Sequence, residues 1–139
     1  MLPDADRALY LNLQHILMQL RSLVREQPFQ ENFQENSKTE EFAIKSAFQV
    51  VQRSFQQVLT SWEQLDPAIA VQMQPYQTEI NRQFRLLKMD MIYLQTARQT
   101  ATVDQRRQQI SDRLESLIQY CEAMLRNEEP TSEEPMSTE

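Results

Sequence analysis

Apolar residues recur along most of this chain at alternating steps of three and four, and almost nowhere at steps of two, so its elements are helices rather than strands. A first stripe, Leu9, Leu13, Ile16, Leu20 and Leu23, follows Pro3 and should end before Pro28. Asp4 and Asp6 place negative charge where the positive end of that helix dipole needs it. Residues Pro28 to Lys38 then read as a polar connection carrying Phe29, Asn32, Phe33 and Asn36. A second stripe, Ile44, Phe48, Val51, Phe55, Val58, Trp62 and Leu65, follows the capping-box spacing Ser37-Lys38-Thr39-Glu40.

Asp66-Pro67 has the form of an N-cap followed by proline in the first helical position, which predicts a tight turn there. The third stripe runs Met73, Tyr76, Ile80, Phe84, Leu87, Met91 and Leu94, and it keeps its phase across Pro75. That favours a short helix kinked into a longer one over two unrelated pieces. The fourth begins near Thr102, continues through Ile110, Leu114, Leu117, Cys121 and Met124, and has Asn127 where a left-handed C-cap is wanted. Four such helices, with two short connections and one of about eleven residues, predict an all-α fold, an antiparallel up-down four-helix bundle. The heptad spacing implies shallow, left-handed packing. Two helix pairs that complete their core by dimerising are the structural rival. The bundle should occupy residues 1–126, and residues 127–139, acidic and without an apolar period, should form a disordered tail.

Composition narrows the chemistry. There is no glycine in 139 residues, against the roughly ten that ordinary usage would give, and there are twenty glutamines. Phosphate-cradling loops and the nucleophile elbow of the hydrolases are thereby excluded, because each needs glycine at fixed positions. Glutamine favours helix, so the composition and the periodicity agree. One histidine, His15, rules out a multi-histidine metal site, and one cysteine, Cys121, rules out an internal disulfide. His15 flanks the first stripe as a boundary residue, and Cys121 sits in the fourth as a small hydrophobe rather than a nucleophile. A haem held by His15 and a methionine is the remaining cofactor reading, and methionine at helical spacing is better explained as core. The chain is therefore expected to have no catalytic or metal residues, no cofactor and no small-molecule substrate.

The net charge of −6 is mostly a property of the tail, which holds five Glu and no Lys or Arg. A nearly neutral body gives no duplex-sized electrostatic footprint, so nucleic acid is disfavoured as a partner. The one basic run, Arg82 to Arg113, keeps a nucleic-acid-binding helical protein as an alternative, beside a structural self-assembling bundle. No apolar stretch is long enough to span a membrane, and the acidic N-terminus is unlike a signal peptide, which makes the chain cytoplasmic in expectation.

One segment carries more apolar surface than a bundle helix needs. At 100° per residue, Ile80, Phe84, Leu87, Met91 and Leu94 lie within about 40° of one direction, while Leu86, Met89 and Tyr93 point almost the opposite way. Either Phe29 and Phe33 cover that second stripe, or the helix is central, or the stripe is an interface. In the last case Leu86, Met89 and Tyr93, rimmed by Arg82 and Arg85, contact a protein partner or a second copy of the chain.

The same region bears a family likeness. Gln77-Thr78-Glu79-Ile80-Asn81-Arg82-Gln83-Phe84-Arg85-Leu86-Leu87-Lys88-Met89-Asp90-Met91-Ile92-Tyr93-Leu94-Gln95-Thr96-Ala97-Arg98-Gln99, with Asp112-Arg113-Leu114 and Tyr120-Cys121-Glu122, resembles the heterocyst frequency control protein family (PatD) of cyanobacteria. The likeness covers about residues 76 to 126; before that it is one of style, Gln-rich and glycine-free. It implies a small non-catalytic regulator that influences how often vegetative cells become heterocysts. The family's link to the tubulin-like cell-division protein implies action by protein binding. Members also occur where no heterocysts form, and no family motif assigns functional residues to positions of this chain.

Overall fold

The computed structural model describes residues 2–25 and 34–126, with side chains from residue 41 onward in the second helix. They form four helices: α1, Asp4–Arg25; α2, Gln34–Trp62; α3, Pro67–Thr96; and α4, Thr100–Arg126. No strand occurs among the described residues. α1 packs against α2 and α4, and α3 packs against α4. The cross-helix bonds run in opposite numerical order, which fixes the antiparallel sense. Arg7 near the start of α1 reaches the Leu125 carbonyl at 3.3 Å, while Arg21 and Arg25 near its end reach Glu115 and Ser111 at 2.7 and 2.9 Å. The fold is thus an all-α four-helix bundle.

The core closes within one chain: Leu13, Leu17, Leu20, Val51, Ile80, Leu87, Ile110, Leu114 and Leu117 have no exposed surface. A second copy is not needed to complete it. The width of each buried face follows the number of close neighbours. α4 lies between α1 and α3, and it buries one adjacent pair per heptad: Ile110 with Ser111, Leu117 with Ile118, and Met124 with Leu125. Leu114 and Cys121 fill the turns between those pairs. α1, between α2 and α4, likewise buries Tyr10, Leu13, Ile16, Leu17, Leu20 and Val24.

That corrects the single stripe expected for α1. Leu9 and Leu23 are only half-buried, and Tyr10, Leu17 and Val24 take the interior places, because a helix with two close neighbours buries a band rather than a seam. In α2 and α3 the expected stripes hold: Ile44, Phe48, Val51, Phe55 and Val58, and Met73, Ile80, Phe84, Leu87 and Met91, are buried, with Trp62, Leu65, Tyr76 and Leu94 at the margin.

The helix ends differ in detail from expectation. α2 begins at Gln34, so residues 34–38, expected in the polar connection, are helical, and Ser37 lies inside the helix rather than at its cap. α4 begins at Thr100, and the amide of Val103 bonds the Gln99 carbonyl at 2.9 Å, so Thr102 is also inside the helix. Asp66 does occupy the N-cap of α3, with Pro67 first in the helix, but its side chain makes no capping bond. α3 continues through Pro75 as one helix. Among the described residues none has a positive φ, which suits a chain without glycine. Phe29, Phe33, Asn127 and the tail 127–139 lie outside the described residues or side chains.

Candidate interaction face

α3 is a flanking helix. It packs closely on α4, whereas its backbone stays further from α2, so it is not central to the bundle. Ile80, Phe84, Leu87 and Met91 turn inward, and the opposite side is left without a helix over it. There Met89 is 48% exposed, Ile92 57% and Tyr93 42%, values high enough that none belongs to the core. Arg82 and Arg85 are exposed, and Leu86 is half-buried. The five residues singled out in the sequence therefore share one side of α3, with Leu86 nearest the core. Ile92 was missed because it lies between the two stripes; its exposure follows from the distance of α2, which periodicity does not report.

The basic run is not a continuous cationic surface. Arg113 is directed inward, its Nε donating to the Asp90 carboxylate at 2.5 Å and its Nη1 to the Gln83 amide oxygen at 3.5 Å. Arg106 lies over the Tyr93 ring, 4.7 Å from its centroid, and also donates to Gln109. Arg82 pairs with Glu79 one turn away at 3.1 Å. By contrast, Arg85 and Lys88 have no carboxylate partner among the described residues. A nucleic-acid surface needs several cations presented together, and this distribution gives little support to one.

Between α2 and α3 the bundle is open. Phe55 and Phe84 stack across the gap with centroids 3.9 Å apart and planes 4° from parallel, and Trp62 meets Phe55 edge-on at 6.0 Å. Above this aromatic floor is a cleft of about 210 Å³, whose rim includes Gln52, Gln56, Asn81, Arg85 and Lys88. Among the described residues no carboxylate lines it.

Of the two single candidates the sequence offered, Cys121 lies in the core and His15 on the surface. Cys121 is buried, and burial pushes its thiol up to about 12, which keeps it protonated and unreactive near neutrality. Tyr10 is also buried; desolvation raises its phenol well above the usual range, opposed in part by the hydrogen bond that Trp62 Nε1 donates to its oxygen. His15 is exposed, with Nε2 at 3.3 Å from the Gln19 amide nitrogen. Among the described residues no group of three or more His, Cys, Asp or Glu is placed to hold a metal ion, and no helix is long and apolar enough to cross a membrane. In comparisons with known proteins, no family model, no curated protein and no solved structure matches this chain.

Proposed function

We propose that this protein is a non-catalytic cytoplasmic regulator that acts by binding another protein through the outward side of α3. The observation that carries this reading is the exposure of Met89, Ile92 and Tyr93 on one helix face beside Arg82 and Arg85, while the other face of the same helix fills the core. Met, Tyr and Arg are residue types enriched at protein contacts, and an apolar cluster rimmed by charge is the usual form of such a site. The resemblance of residues 76–126 to the heterocyst frequency control family supports a regulatory role and suggests the tubulin-like cell-division protein as the partner.

The test is a Met89→Glu/Tyr93→Glu double substitution. Binding to purified tubulin-like cell-division protein, measured by biolayer interferometry, should fall at least tenfold, with helical circular dichroism unchanged. Light scattering behind gel filtration on the same samples reads self-association. A loss of folding stability above about 3 kcal/mol would assign the two side chains to the core and remove the proposal.

A further inference from the structure

We infer that the α2/α3 cleft receives one bulky apolar side chain from an acidic segment of a partner protein. This rests on the reading of α3 as a binding face and names the chemistry of what binds there. The cleft's size limits the occupant: about 210 Å³ is below the roughly 300–1,000 Å³ of small-molecule sites, but suits a single anchoring side chain. Its floor is apolar, formed by Phe55, Leu59 and Phe84. Each ring covers one face of the other and both residues are buried, so neither presents an open face on which a nucleic-acid base could stack.

Charge complementarity selects an acidic segment. Arg85 and Lys88 both line the cleft, no carboxylate does, and neither cation has an acidic partner among the described residues. Arg82, Arg106 and Arg113 in the same run are already engaged by Glu79, Tyr93 and Asp90. Among the described residues the cations that line the cleft are Arg85 and Lys88. A second copy of the chain docking through this side would bring the same cations against one another, which disfavours self-association here.

The experiment uses the full chain and short synthetic Glu-rich peptides that differ in one respect each: a central Phe, Ala in its place, or Lys in place of every Glu. Trp62 touches Phe55 edge-on and is the chain's single tryptophan, so its fluorescence reports on the floor of the cleft. The Phe peptide should saturate a Trp62 signal, and the Ala peptide should bind at least tenfold more weakly. The Lys peptide should not bind, and Arg85→Glu/Lys88→Glu should abolish the response without altering the helical spectrum. Equal binding by the Phe and Ala peptides, survival of binding in the charge-reversed variant, or no binding by any peptide would overturn the inference. A Trp62 signal that depends on protein concentration alone would assign the cleft to a second copy and overturn it too. Peptide binding that persists in Met89→Glu/Tyr93→Glu, when that variant still binds the cell-division protein, would remove the broader reading and leave the cleft assignment standing.

Discussion

Replacing Arg113 by Met should destabilise the bundle by about 3 kcal/mol, and the structure gives the reason. Asp90 is 4% exposed, on the side of α3 that faces α4, and Arg113 is its ion-pair partner. Removing the guanidinium leaves a carboxylate in a low-dielectric site without a counter-charge, for which losses of about 3–5 kcal/mol are typical. The lower end applies because the Arg113 side chain is itself 21% exposed, so water can follow where it is withdrawn. Asp90→Leu should cost less, about 1 kcal/mol, because the longer cation can turn toward solvent. The double variant Asp90→Leu/Arg113→Met should lie within about 1 kcal/mol of the parent, since a buried pair replaced by apolar groups loses attraction and desolvation cost together. Urea denaturation followed by far-ultraviolet circular dichroism measures all four proteins, with equal slopes required before the midpoints are compared. A cost below about 1 kcal/mol for Arg113→Met, or a double variant weaker than that single one, would show that Asp90 does not depend on Arg113 for its charge balance.

Two further outcomes follow from buried groups and the backbone. Cys121, raised from 9.0 to about 12, and Tyr10, raised above 10.0, hold their protons more tightly when folded, so the unfolded chain loses protons first and stability should fall as pH rises above about 9. Urea midpoints against pH should show a shallower alkaline fall in Cys121→Ala and in Tyr10→Phe; identical slopes in all three proteins would contradict this. Pro75 sits inside α3 without an amide to donate, so Pro75→Ala should restore a helical bond and raise stability by about 1–3 kcal/mol. An unchanged or lowered melting temperature would show instead that the bundle depends on the local geometry proline imposes.

The heptad stripes of α2 and α3 were legible because each of those helices buries one narrow face, the case for which periodicity is written. α1 and α4 were read less fully, since their second neighbours bury Leu17, Val24, Ile118 and Leu125 as well. The caps failed for a different reason: Ser37 and Thr102 have capping chemistry, but helix continuation upstream lets the chain satisfy those amides by main-chain bonds. Arg113 counted in the sequence as part of a basic surface, and only the α3–α4 contact turns it inward to Asp90. Charge read along a chain cannot report which of its charges face each other across helices.

The cleft belongs to that same class of feature. Phe55 and Phe84 both appear in the stripes as ordinary core residues, and nothing in their spacing says that they stack on each other. The two large rings meet across the α2/α3 seam, where the helix backbones lie further apart than at the α1/α4 seam on the opposite side of the bundle. Around the rings the gap is lined by Leu59 and by the polar Gln52, Gln56, Asn81 and Lys88, which leave it open to solvent. The separation also leaves Ile92, on the α2 side of the helix, without a neighbour over it. The cleft and the exposed Ile92 therefore lie on the same side of α3, and Arg85, which lines the cleft and belongs to the outward side of the helix, is where the proposed anchor site and the proposed binding face adjoin.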